Sequence, residues 1–122
     1  MKKILIIEDN KESSSILKEV LEHYGYSVII ANDGINGFRY AKKELPDLIL
    51  LDLLLPKFSG FDICLKLMED DKTRKIPIIV ISTLADDANS KEKLKKFEII
   101  KFMRKPYNID DLISEVNRIL RK

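Results

Sequence analysis

The stretch Asp47-Leu48-Ile49-Leu50-Leu51-Asp52-Leu53-Leu54-Leu55-Pro56 decides how this chain folds. Leu48–Leu51 shows no apolar/polar alternation, so both of its faces must be buried, as in a central strand of a parallel sheet with helices on both sides. Asp52 interrupts the run. An ionised carboxylate taken out of water without partners costs several kcal/mol. The apolar strand must therefore stop at Asp52, and other segments must supply that carboxylate with company.

Working outward, four more runs read as strands: Lys3–Ile7, Ser27–Ala31, Ile78–Ile81 (opened by Pro77) and Ile99–Met103. Amphipathic segments separate them, which is the signature of a parallel sheet covered by helices. The first helix has Ile16, Leu17, Val20, Leu21 and Tyr24 at inward spacing, with Gly25 as its left-handed stop. Asn32-Asp33-Gly34 is a turn that also caps a second helix, with Ile35, Phe38, Ala41 and Leu45 inward and Pro46 ending it. A third helix turns Phe61, Cys64, Leu65 and Met68 to the core. A charged fourth helix over 86–97 is anchored by Leu94 and Phe97. Asn108 or Asp110 caps the last helix, which turns Leu112, Ile113, Val116, Ile119 and Leu120 inward. The expectation is one α/β domain over residues 1–122, built from five βα units.

Composition narrows the function. The net charge of +2 is too small to argue for nucleic acid. Seven Lys/Arg against two Glu between Lys91 and Lys105 make one basic segment, read as a solvated helix face or a protein-docking surface, because no aromatic interleaving accompanies it. No apolar run reaches the roughly 20 residues of a membrane span, and Ile4–Ile7 is too short for an export signal. The single Cys64 forms no internal disulfide and reads as a small core hydrophobe. A cytoplasmic protein is expected. His23, the lone histidine, reads as part of a half-exposed helix face.

Ligands of open parallel sheets bind outside the carboxyl ends of the strands. Glu8, Asp9, Asp52, Ser82 and Lys105 all fall there. Three carboxylates gathered at one edge repel one another unless a cation sits among them, and oxygen ligands without His or Cys favour a hard ion, Mg²⁺ first. Phosphoryl transfer needs positioning and positive charge more than covalent help. Mg²⁺, Lys105 and the Ser82 hydroxyl would supply these, and a carboxylate can serve as nucleophile by forming an acyl phosphate. Asp52 is the central candidate.

Over essentially its whole length the chain resembles a response-regulator receiver domain of two-component signalling. The resemblance rests on Glu8-Asp9 after strand one, Asp52 after strand three and Pro56 and Gly60 beyond it. Ser82 after strand four and Lys105-Pro106 after strand five complete it. It implies a doubly wound, three-layer, flavodoxin-like sheet in the order 2-1-3-4-5. It also implies that Asp52 accepts a phosphoryl group from a sensor histidine kinase or histidine phosphotransfer protein. Asp9, Asp52 and the backbone carbonyl of Leu54 would hold Mg²⁺, with Glu8 acting through its water shell. Lys105 would pair with Asp52 and then with the phosphoryl group, and its peptide bond to Pro106 would be cis. Ser82 would be the switch hydroxyl, with Thr83 as second choice. Phe102 would be the switch aromatic, relaying the change to an effector at the face of the fourth helix, fifth strand and fifth helix. The resemblance further implies a switch rather than a conventional enzyme, no direct DNA contact, and a monomer or a phosphorylation-dependent dimer.

Some residues depart from the usual pattern. Thr83 follows Ser82 where a small residue is common, and Glu98-Ile99 replaces a small pair. Leu54 and Leu84, which would flank the site, have no polar atom to orient a hydrolytic water, so slow self-dephosphorylation is expected. Rival readings are an interaction module that never takes phosphate, or the receiver of a larger DNA-binding regulator. A flavodoxin-like cofactor binder would need a phosphate loop where Glu8-Asp9-Asn10 stands. An aspartyl-phosphate hydrolase would need an acid at Leu54.

Overall fold

The computed structural model of the protein describes residues 1–55, 59–82 and 92–121. Its centre is a five-stranded parallel sheet: β1 (Lys3–Ile7), β2 (Ser27–Ala31), β3 (Leu48–Asp52), β4 (Ile78–Ser82) and β5 (Ile100–Arg104), in the order β2-β1-β3-β4-β5. Helices α1 (Lys11–His23), α2 (Gly34–Glu44), α3 (Gly60–Glu69) and a C-terminal helix (Ile109–Leu120) flank it. Among the described residues no helix is long and apolar enough to cross a membrane.

Strand parity splits the core in two. Ile4, Ile6, Leu48, Leu50, Ile79 and Ile81 pack with Leu17, Leu21, Leu112 and Val116 on one face. Leu5, Ile7, Ile49, Leu51, Ile78 and Val80 pack with Ala41, Ile63, Cys64 and Leu67 on the other. The doubly wound three-layer fold expected from the sequence is the fold observed. β1 and β3, neighbours in the middle of the sheet, are buried on both faces, as the unbroken runs of Ile and Leu require.

Capping fixes the helix starts beside the strand ends. Asn10, Asp33, Ser59 and Asn108 each accept a backbone N–H of the following turn on their side-chain oxygen, satisfying donors that a helix start leaves free. Gly25 has φ +92°, the left-handed stop expected of it. Leu45 also takes a left-handed conformation, φ 45°, where Pro46 forbids another helical residue.

Several inward positions expected from periodicity are corrected. Ile16, Tyr24, Ile35 and Leu45 are exposed. The buried stripe of α1 is Ser14, Leu17 and Leu21, and that of α2 is Gly34, Gly37 and Ala41. Small residues let these helices lie close to the sheet, and a search for large apolar residues passes over them. Strand five runs one residue later than expected, because Ile99 is used in the turn into it: the Ile100 N–H donates to the Phe97 carbonyl at 3.1 Å. Strands three and four extend by one residue, to Asp52 and Ser82. Of the fourth helix only its end is described, a turn over 92–94 that buries Leu94, with Phe97 half-buried beyond it.

Gly60 sets the distance between α3 and the end of β3. A Cβ there would lie 2.4 Å from the Asp52 carbonyl oxygen and 2.4 Å from the Leu53 Cα, both backbone atoms that cannot step aside. The Gly60 N–H donates to the Leu53 carbonyl at 2.9 Å. Overpacking of this kind costs about 1–3 kcal/mol. Gly60→Ala is therefore expected to lower stability by about that amount in urea unfolding, and an unchanged midpoint would contradict the close approach.

Candidate functional site

Asp52 is the last residue of β3, and strand parity carries its side chain toward the face of α1 and the C-terminal helix. Its backbone lies between β1 and β4, so it is 5% exposed. Partners meet it from three directions. The Leu54 N–H donates to Oδ1 at 2.9 Å, and the Lys105 Nζ donates to Oδ2 at 2.8 Å. Glu8, at the end of β1, lies with its Oε1 3.7 Å from the same Nζ. Carboxylate oxygens of Glu8, Asp9 and Asp52 lie within 4.8 Å of one another.

Each group is held by its strand end. The Glu8 N–H donates to the Ala31 carbonyl at 3.0 Å, and the Glu8 carbonyl accepts from Asn32 Nδ2 at 3.0 Å. The Lys105 N–H donates to the Ser82 carbonyl at 2.6 Å, tying the lysine to the end of β4. The Lys105-Pro106 bond is cis, as the sequence led us to expect. Ser82 is buried, and it opens on a pocket shared with Phe102, Met103, Arg104 and Lys95. Phe102 is half-buried against the α2/α3 core. Thr83 and Leu84 lie outside the described residues, as do Pro56 and most of the fourth helix.

Two carboxylates share one lysine here, and they respond differently. Burial, then the neighbouring Asp52, pushes Glu8 up to about 8. Desolvation also opposes the Asp52 charge. The adjacent Glu8 carboxyl, the Lys105 ammonium and the Leu54 amide outweigh that penalty and hold Asp52 below the ordinary carboxylate range. Desolvation likewise works against the Lys105 charge, but Asp52 and Glu8 more than compensate and raise its pKa. Glu8 Oε2 is buried and has no hydrogen-bond partner. A buried acceptor in that condition calls for a proton or a cation. The all-oxygen donor set fits a hard divalent ion.

Residues 4–117 match the family model described as response regulator receiver domain. The chain belongs to the response regulator receiver family. It is 36% identical over 124 residues to the DNA-binding dual master transcriptional regulator RpaA of Synechocystis sp., covering 100% of this chain and 50% of RpaA. It is 31% identical over 120 residues to protein PilH of Pseudomonas aeruginosa, covering 98% of each. It thus spans about half the length of relatives such as RpaA and nearly all of others such as PilH. One similar solved structure is the receiver domain of the sensor histidine kinase PA1611 from Pseudomonas aeruginosa PAO1, with a magnesium ion coordinated in its active-site cleft. It is 26% identical, with a TM-score of 0.85 over 99% of this chain and 98% of that one. Receiver domains are phosphorylation-activated signalling switches of two-component systems, and this chain is one of them.

Sequence reasoning passed over three contributors to the site. Asn10, rather than Glu8 or Asp9, caps α1, which leaves both acids free; its place three residues before Ser13 was a readable capping signal. Asn32 holds the Glu8 backbone. Gly60, noted only as part of the family pattern, admits α3 against the Asp52 carbonyl.

The raised Glu8 pKa has a consequence for the metal-free protein. A carboxyl lifted from 4.5 to about 8 gives stability that is whole below about pH 4.5 and is lost as the pH climbs through about 8. Thermal melts in a chelator are expected to show the midpoint falling across that window. Glu8→Gln, which keeps the shape but does not titrate, is expected to flatten the slope; an identical slope in the variant would refute the assignment.

Proposed function

We propose that Asp52 is the phosphoacceptor of this receiver and that a phosphohistidine on a sensor histidine kinase or histidine phosphotransfer protein is its donor. The observation that carries the reading is the 2.8 Å pair of Asp52 and Lys105 inside the acidic cluster at the end of the central strand. Asp52 is kept ionised by its donors, so one lone pair of its carboxylate is free to attack phosphorus. The phosphorus–nitrogen bond of the phosphohistidine breaks as the acyl phosphate bond forms. The imidazole nitrogen keeps the electron pair and takes up a proton.

Asp9, Asp52 and the Leu54 backbone carbonyl would hold Mg²⁺ directly, and Glu8 would do so through water. When bound, the ion supplies positive charge to the phosphoryl oxygens and to the crowded carboxylates. Lys105 turns from the Asp52 carboxylate to a phosphoryl oxygen, so its charge stays neutralised throughout. Ser82 then moves toward the phosphoryl group, leaving the pocket it shares with Phe102. Phe102 follows into the space behind it. The face that changes comprises the fourth helix, β5 and the C-terminal helix, where an effector or a second copy would dock. The cytoplasm is the compartment that suits such partners.

The test is intact-mass measurement after incubation with acetyl phosphate. Wild type is expected to gain one phosphate in Mg²⁺ and little in chelator, while Asp52→Asn gains none. Unlabelled wild type, or equal labelling of the variant, would overturn the reading. Leu54 lines the acidic cleft and is 64% exposed, with no side-chain atom to hold an attacking water. Hydrolysis is therefore expected to take far longer than seconds. One added hydrogen bond is worth about 1 kcal/mol, or about five-fold in rate, so Leu54→Asn should shorten the phosphoryl lifetime by about that factor in a decay assay.

A further inference from the structure

A second concentration of charge lies at the other end of the sheet from Asp52, where the strands begin. α2 ends there at Glu44 and α3 at Glu69, ahead of the starts of β3 at Leu48 and β4 at Ile78. Arg39, Lys42 and Lys43 from the last turns of α2, with Lys72 from the connection after α3, surround a depression of about 430 Å³. The half-buried Tyr40 forms its remaining wall. All four cations are exposed, so the depression faces water rather than the core. Its volume lies within the roughly 300–1,000 Å³ of small-molecule sites.

The fold accounts for only part of this charge. Lys42 pairs with Asp70 at 3.2 Å, and the same carboxylate accepts the Lys72 N–H at 2.8 Å, which ties the connection after α3 to α2. Neighbouring acids are engaged elsewhere, Glu44 with Lys3 at 3.1 Å and Asp71 with Arg74 at 3.5 Å. Among the described residues Arg39, Lys43 and Lys72 make no ion pair. Four cations against one carboxylate leave an excess of three positive charges. Lys42 and Lys43 suit the negative end of the α2 dipole. Arg39 and Lys43, however, stand four residues apart, where like charges disfavour a helix. An anion between them turns that repulsion into attraction, and charge of one sign around a depression focuses the field there.

We propose that this depression binds a compact anion with two or more linked phosphate groups, held among Arg39, Lys43 and Lys72. One phosphate carries about −1.5 to −2 charge near pH 7, so a linked pair is the least that balances an excess of three. A carboxylate carries one charge, and an acidic peptide must spread three side chains along its length to match that density. The depression shares no residue with the acidic cleft, and the inference stands whether or not Asp52 is the phosphoacceptor.

The test follows amide chemical shifts of the full chain without Mg²⁺, at low salt because exposed charges are screened. Tripolyphosphate, orthophosphate or tetraglutamate is added. Saturable shifts at Arg39, Lys43 and Lys72 are expected, with tripolyphosphate binding at least ten-fold more tightly than the other two. Arg39→Gln combined with Lys43→Gln should weaken tripolyphosphate at least ten-fold while leaving the rest of the amide spectrum in place. Lys95→Gln combined with Lys96→Gln, which removes two charges from the other basic stretch, should change it less than two-fold. Adenosine triphosphate binding more tightly than tripolyphosphate would assign the phosphates to a nucleotide, and equal binding to a free phosphate chain; either supports the site. Shifts spread evenly over the exposed lysines, an equal response to orthophosphate or tetraglutamate, or undiminished affinity in the first double variant would overturn the proposal.

Discussion

The structure turns on one charge at the end of one strand. Asp52 sits where β3 leaves the core, 5% exposed, with Lys105 at 2.8 Å and the Leu54 amide at 2.9 Å. Asp52 is buried and Lys105 only half-buried, so removing either leaves the other without its nearest opposite charge. The pair therefore fixes more than a local contact. It requires that β1, β3, β4 and the segment after β5 end at the same level, which the parallel register delivers: Ile7 beside Leu51, Asp52 beside Ile81, and Ser82 beside Arg104.

The same register explains why the acids do not simply repel one another apart. Glu8 is anchored through its own backbone by Ala31 and Asn32, and the Lys105 backbone is anchored by Ser82. None of these contacts uses a charged atom. The sheet thus imposes the crowding, and the charges adjust to it: Asp52 stays ionised beside the lysine while Glu8 rises to about 8. Three carboxylates under such constraint form a site whose electrostatic need is met by a cation, which is the physical sense of the magnesium-bearing cleft described for the PA1611 receiver.

Much of this was readable from the chain, for reasons tied to particular residues. β1 and β3 are buried on both faces, so their unbroken Ile and Leu runs carried little ambiguity, and the polar residues after each run had to lie on one sheet edge. The helices were less transparent. Their contact stripes are Ser14 with two leucines, and Gly34 with Gly37 and Ala41, while Ile16 and Ile35 point outward. Apolar periodicity weighs size and hydrophobicity, whereas close packing on a sheet selects for smallness. The offset of β5 arose because Ile99 and Ile100 are both apolar and only the turn bond at Phe97 separates their roles.

The ion pair also bears on how the protein is made. Lys105 follows Asp52 by 53 residues. A chain still in synthesis can expose the third strand long before its counter-ion has left the ribosome. In that interval the central strand ends in a carboxylate without its lysine, and burying it carries the penalty of an unmatched charge. The edge strand that completes the sheet is therefore also the one that brings the counter-charge to its middle, and a chain that ended before Lys105 would leave Asp52 to be neutralised by a proton instead.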